Sequence, residues 1–310
     1  MLKPFLKPNE ADASSIRQSD IIVPSILIGA AILWAWFPII LSMVYRWNSD
    51  PQYSHGFLVP VIAGMIVWFR REDITAGDRR PSVWGFAFIV AGIVGYLVGT
   101  RIYFDWLQLA SILPVLYGAT LLIGGTWLSR VAWPGILFLL FMIPLPYVAE
   151  VAMARPLQTL AGTVSTYLLR TLGFTAIQRG NLIDMEGYVL GVAEACSGLR
   201  MLVVFFALAT AVAILSHRSW LHRFIIVLSA IPIALVCNVG RIVVTGALYV
   251  YAGPELAERV FHDFAGWLMM PAALSLMWLE IKYLNLVIVE FGTRSSAGER
   301  KMVGVLRASS

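Results

Sequence analysis

Charge is what this sequence is short of: Asp, Glu, Lys and Arg make up 13% of its 310 residues, about half the roughly 25% of a soluble domain. So little polar surface cannot cover a water-soluble globule of this size, and a disordered chain would need more charge and less apolar bulk. Cysteine is equally scarce. Cys196 and Cys237 are the only two, which excludes a disulfide scaffold. Neither HExxH nor GxSxG occurs, so zinc and serine intramembrane hydrolases lack their usual sequence support. A glycine-rich phosphate loop is missing too, and no metal or cofactor is expected.

What the chain has instead is apolar bulk, 59% of its residues, with a mean hydropathy of +0.79. The apolar residues run in long blocks rather than at helical or strand period, which marks membrane spans. Eight such segments can be drawn: Ile21–Tyr45, Gly56–Phe69, Val83–Gly99, Trp106–Thr126, Val131–Ile143, Leu199–Leu215, Phe224–Tyr249 and Phe264–Tyr283. The second and fifth are short for a bilayer core of about 30 Å and need to borrow neighbours, the fifth from Trp127–Arg130. The expected architecture is an all-α polytopic membrane protein of about eight transmembrane helices. It forms a single membrane domain, 21–293, between cytoplasmic tails 1–20 and 294–310. The first tail lacks the apolar core and cleavage site of a removable signal peptide.

A net charge of +5 usually raises nucleic acid as a partner, but here the basic residues gather at span ends. Loops carrying Arg70, Arg71, Arg79 and Arg80, then Arg130, then Arg218 and Arg223, alternate with loops holding only Arg46, Arg101 or Arg259. With basic residues kept inside, both termini face the cytoplasm, and the bilayer rather than nucleic acid is the partner. The one long connection, 144–198, then lies outside. Within it Val148–Leu172, interrupted by Arg155-Pro156, Gln158 and Arg170, reads as an interfacial or re-entrant helix. Short β-prone runs on either side of Glu186-Gly187 read as a small hairpin, which leads into Glu194-Ala195-Cys196-Ser197-Gly198-Leu199-Arg200 at the mouth of the sixth span.

This topology sorts the reactive groups. His217 and His222 fall in a cytoplasmic loop among arginines, where a solvated basic face accounts for them. Cys196, His55 and His262 fall at outer span ends. Cys196 lies near a helix start, where the helix dipole and Arg200 four residues on favour the thiolate; the plainer reading is a small residue that packs. Arg241 lies within the seventh span, about nine residues or roughly 13 Å before its outer end. An Arg there costs at least about 2.5 kcal/mol to insert. Asn238, Arg241 and Thr245 share one helix face, and Gly240 would admit a neighbouring backbone. Arg241 could equally bond span-end carbonyls or an acid. His262, followed by Asp263, suits a general base, as does His55, though a lone interfacial histidine is more often just solvated. Cys237 lies about a turn deeper and packs, and a bridge to Cys196 is not expected. Two other functions stay open on these residues. A non-catalytic transporter or polysaccharide-assembly protein would use Arg241 in a substrate path. A membrane glycosyl- or acyltransferase would use outward carboxylates such as Glu150, Asp184, Glu194, Glu255 or Asp263, which show no evident pairing and read as a solvated outer face.

Several pieces closely resemble the exosortase/archaeosortase family. They are Tyr53-Ser54-His55-Gly56-Phe57-Leu58, Pro144-Leu145-Pro146, Pro156-Leu157-Gln158, Gly180-Asn181, Glu194 to Arg200, Asn238-Val239-Gly240-Arg241-Ile242 and His262-Asp263-Phe264-Ala265-Gly266-Trp267. The resemblance implies a membrane-embedded cysteine protease or transpeptidase of the cell inner membrane. Its partners would be membrane-anchored proteins bearing a C-terminal sorting signal: a Pro-Glu-Pro-like motif, an apolar helix and a basic tail. Cleavage would be extracytoplasmic and often accompanies exopolysaccharide production. The family's proposed triad maps onto Cys196 as nucleophile, Arg241 as transition-state stabiliser and His262 as proton-transfer group, with Arg200, Asn238, His55 and Asp263 as supporting candidates. Gly240 and Met201 depart from the residues common in the family, which bears on the subfamily rather than the chemistry.

Overall fold

Helix covers most of each of the eight apolar segments in a computed structural model that describes residues 18–72, 80–185, 187–191, 198–216, 218–259 and 265–287. The tail before Gln18, the loop 73–79 and the residues after Val287 lie outside it, and so do Cys196, His217, His262 and Asp263. The order is α1 Gln18–Ser49, a 3-10 turn Pro51–Phe57, α2 Leu58–Arg70, α3 Trp84–Arg101, α4 Asp105–Ala110, α5 Ile112–Phe138, a second 3-10 turn Leu139–Met142, and α6 Tyr147–Thr171. Three strands follow, β1 Ala176–Arg179, β2 Leu182–Met185 and β3 Tyr188–Gly191, then α7 Gly198–Leu215, α8 Trp220–Ala252, α9 Pro254–Arg259 and α10 Ala265–Val287. Among the described residues five helical stretches are long and apolar enough to cross a bilayer: Ile26–Ser49, Gln52–Arg70, Trp84–Arg101, Asp105–Met142 and Trp220–Ala252. The apolar part of α7, Met201–Leu215, is shorter. The contacts divide the chain into two units, Met1–Leu157 and Gln158–Ser310.

In the first unit the 38 residues of Asp105–Met142 are too many for one passage, and they do not run straight. The Trp36 indole Nε1 donates to Ser111 Oγ at 3.0 Å, and that of Trp47 donates to the Met142 carbonyl at 2.9 Å. Ser111 and Met142 would stand about 46 Å apart on a straight helix, while Trp36 and Trp47 are about 16 Å apart along α1. The chain therefore folds back between them. It does so at Gly125, whose φ of 60° and ψ of −152° lie in a region open almost only to glycine. Trp127–Arg130 is helical, so the fifth segment does borrow these residues, and the reversal falls just before them at Gly125. Gly85, Gly92 and Gly99 of α3, seven apart on one face, meet the first leg at Gly118, Val115 and Gln108, and Gly135 of the second leg meets Val67 and Ala63 of α2. Small residues at such seams let helix backbones close up where lipid offers no hydrophobic drive between helices.

The helix expected over Val148–Leu172 is present as Tyr147–Thr171, with Pro156 inside it. In the second unit the long connection differs from expectation in one way. The hairpin about residues 186–187 is present, and a third strand joins it through the Gly180-Asn181 turn, giving an antiparallel sheet in the order β1-β2-β3. The four-residue strand Ala176–Arg179 holds two polar residues, too short a run for its pattern to stand out. Its pairing is fixed instead by α6, where Gln158 accepts from Asn181 at 3.1 Å, Thr163 donates to Gln178 at 3.0 Å and Arg170 Nε donates to the Ala176 carbonyl at 2.6 Å.

Replacing Gly125 with Ala forces a side chain into that backbone region at a cost of about 1–3 kcal/mol, whereas Gly64, within α2 and with open space where a Cβ would stand, should gain slightly from Ala. Thermal unfolding of the purified protein in detergent should show Gly125→Ala melting lower and Gly64→Ala unchanged or higher. Equal melting of the two would contradict the fold-back at Gly125.

Candidate functional site

The site is built on α8. Asn238, Arg241 and Thr245 stand on one face, at 2%, 6% and 2% exposure, so the guanidinium that topology placed inside a span is enclosed by protein. The neighbouring face, Val239, Ile242 and Gly246, faces the sheet and α6. Val239 and Ile242 join Ala161, Leu169, Phe174, Ala176, Ile183, Met185 and Leu190 in one core cluster. The sheet's period of two supplies that cluster: Ala176, Ile183, Met185 and Leu190 point inward, while Ile177 and Val189 point out. Each fully buried aliphatic side chain contributes about 1.5–3 kcal/mol against water. A Cβ at Gly246 would already lie 3.1 Å from Met185 Sδ and 3.3 Å from Leu169 Cδ2, so this glycine sets how closely the sheet approaches α8. Towards the C-terminal end of α8 the Tyr188 and Tyr249 rings lie 5.7 Å apart, and those of Phe174 and Tyr251 5.4 Å. The sheet thus lies beside the C-terminal half of α8, which carries Arg241.

Counting residues along the packed helices gives their heights. α7 packs on α8 after a connection of four residues, 216–219, so the pair is antiparallel. Seventeen residues back from Leu215 is Gly198, and seventeen forward from Trp220 is Cys237, so the start of α7 is level with Cys237–Asn238. Ser229 Oγ donates to Glu280 Oε2 at 2.6 Å, tying α8 to α10. Fifteen residues back from Glu280 is Ala265, and fifteen forward from Ser229 is Val244. The starts of α7 and α10 therefore flank the height of Arg241, within about a turn on either side.

Of the residues singled out from sequence, Asn238 and Arg241 come together as expected, buried on one face. Arg200 is in the first turn of α7, and its side chain is outside the described set. Cys196 lies two residues before α7 and His262 three before α10. His55 belongs to the first unit. It is 8% exposed, and its Nε2–H donates to the Phe141 carbonyl at 3.2 Å. Next to it, Gly56 lies where any Cβ would collide with the Trp47 indole. Cys237 is a buried free thiol, as expected.

Three readings are corrected. Gly240 is exposed with open space about it, so no described neighbour uses it for a close approach. His222 is buried at 1% rather than solvated, with Nδ1 lying 3.1 Å from Ser219 Oγ, because a two-turn offset from Ser229 turns it with Ser229 toward the inside of the helix pair. Glu150 is not an idle surface carboxylate. It accepts from Gln52 Nε2 at 2.8 Å and Tyr53 OH at 3.1 Å, while the Arg46 guanidinium stands 5.5 Å from the Tyr53 ring. Sequence spacing could not show this, since 98 residues separate Gln52 from Glu150.

A family model described as transmembrane exosortase matches residues 47–279. No curated protein and no solved structure matches the chain.

Gly246→Val should push Met185 and Leu169 aside, at about 1–3 kcal/mol for an overfilled contact, while Gly240→Val should leave packing unchanged. Limited proteolysis in detergent should cut the 173–191 region faster in Gly246→Val than in wild type or Gly240→Val. Indistinguishable cleavage in all three would contradict the seating of the sheet on α8.

Proposed function

The chain belongs to the transmembrane exosortase family, and from that premise we propose that it is a membrane-embedded cysteine peptidase or transpeptidase. It cleaves the C-terminal sorting signals of exported, membrane-anchored proteins at the extracytoplasmic face of the inner membrane. One observation carries this reading: the starts of α7 and α10, next to which Cys196 and His262 fall in sequence, stand within about a turn of the buried Arg241.

The membrane domain is residues 21–293, with eight passages and both termini cytoplasmic. The fold-back at Gly125 supports counting Asp105–Met142 as two of these. His55, Gly56 and Tyr53 hold the outer end of α1 to the second leg of Asp105–Met142 and to α6, a structural duty that leaves His262 as the base.

Chemistry follows from the residue types. His262 takes the thiol proton of Cys196, and the thiolate attacks the scissile carbonyl carbon. The guanidinium of Arg241 faces the oxyanion that forms, in surroundings where a fixed charge acts most strongly. Collapse breaks the C–N bond and leaves a thioester on Cys196, while His262 returns its proton to the departing amine. An amine or hydroxyl of an acceptor, or water, then takes the acyl group and frees the thiol. Asn238 and Thr245 stand beside Arg241 on the same buried helix face. Arg200, one turn into α7, adds positive charge near the thiolate.

The test is to co-express the chain with a tagged exported protein ending in a Pro-Glu-Pro-like motif, apolar helix and basic cluster, and to follow the tag's size. Cys196→Ala and His262→Ala should leave the precursor uncut. Arg241→Ala should slow cutting by about 10²–10³, the loss seen when an oxyanion donor is removed. Normal processing by Cys196→Ala or Arg241→Ala would overturn the assignment.

A further inference from the structure

The second half of α6 has three sides. Ala161, Ser165 and Leu169 are fully buried, and Ala161 and Leu169 join the core cluster on α8. Thr163 and Arg170 turn to the sheet, where they donate to Gln178 and to the Ala176 carbonyl. The third side belongs to neither. Leu160, Tyr167, Leu168 and Leu172 stand on it, at 48%, 67%, 37% and 60% exposure. The helix continues through Leu172, whose N–H donates to the Leu168 carbonyl. At about 100° per residue the four fill an arc of roughly 140°. Large apolar side chains open to this extent make a patch of roughly a few hundred Å², the size that marks an interaction surface.

What lies against the arc follows from α8. Two residues past Leu172, the Phe174 ring meets that of Tyr251 at 5.4 Å. Tyr251 is 80% exposed, and Val236 and Val244 share its side of α8 at 58% and 56%. α8 is long and apolar enough to cross a bilayer, so an exposed apolar row along it faces acyl chains. The arc on α6 thus runs up to a lipid-facing row. Charge is arranged to match. Arg170 is held to the Ala176 carbonyl and Arg179 to Asp184, so both guanidinium groups are engaged with the sheet rather than turned into the arc. A helix with its apolar side free and its basic residues set off that side is built to lie in a membrane interface.

We propose that this arc of α6 is a lipid contact, with Leu160, Tyr167, Leu168 and Leu172 among acyl chains and the sheet carried on the hydrated side of the helix. The occupant is the bilayer itself rather than a second copy of the chain. This contact is independent of the peptidase reading, since it rests on α6 and α8 alone. It bears on the site all the same, because α6 orders the sheet that packs on the face of α8 next to Arg241.

The test places single cysteines, Leu160→Cys, Leu168→Cys or Leu172→Cys, in a Cys196→Ala, Cys237→Ser background. Val244→Cys serves as the lipid-facing reference. Arg179→Cys serves as the hydrated one, since Arg179 is exposed and paired with Asp184. The chains are reconstituted in phosphatidylcholine–phosphatidylglycerol vesicles. The arc thiols and that of Val244→Cys should react with a water-soluble maleimide at least about tenfold slower than Arg179→Cys, because hydrocarbon disfavours the thiolate that reacts. Nitroxides on the same thiols should be relaxed by dissolved oxygen and not by a water-soluble nickel chelate. The three positions report separately, so a variant that fails to accumulate leaves two to decide. Chelate access equal to that of Arg179→Cys would mean that the arc lies in water, and would overturn the contact. Protection from both oxygen and chelate would mean a protein cover, such as a second copy, and would overturn it equally.

Discussion

A guanidinium enclosed in a largely apolar helix bundle is the constraint around which the second unit is arranged. Arg241 costs at least about 2.5 kcal/mol to place within a span, and α8 meets that cost with polar company on one face and a protein cover on the next. Asn238 and Thr245 share its face. The sheet and the second half of α6 pack on Val239, Ile242 and Gly246, the face of α8 next to the one that carries the charge. The sheet is also the element that delivers the chain towards Cys196.

The first unit solves a different problem with different means. Its helices have almost no polar glue, and they close through glycines on α3 and on both legs of Asp105–Met142. Two indole N–H donors of α1 then tie the start and the end of the folded-back segment. The polar contacts of Gln52, Tyr53 and His55 join the turn after α1 to Glu150 and to the end of the second leg. Tyr53, His55, Gly56 and Phe57 of the Tyr53–Leu58 motif each make a packing or hydrogen-bond contact there.

How much of this was legible in the sequence depends on the range of the interaction. Apolar blocks located the long helices, because hydropathy is a local property, while α9, Pro254–Arg259, lies in none of them. The Glu-Gly turn announced the hairpin, and the depth of Arg241 followed from counting residues to the end of its span. The β1 strand was not legible, since four residues with two polar side chains carry no usable period and only α6 orders them. The pairing of Glu150 with Gln52 and Tyr53 was hidden by sequence distance, and the burial of His222 by its position in a loop rich in arginine. Gly125 could not be told from Gly124 by type. Only the backbone angles at Gly125, φ 60° and ψ −152°, show which of the two reverses the chain.

Counted heights along α7, α8 and α10 support the proposal that Cys196 and His262 act about one arginine, and the most direct measurement is a distance between the two. In a Cys237→Ser background, His262→Cys would be paired with the native Cys196 and treated in membranes with thiol cross-linkers of graded length. The account predicts bridging by reagents spanning about 8 Å or less, with the two cysteines within reach of the same guanidinium. Bridging only by reagents spanning about 20 Å or more would contradict it.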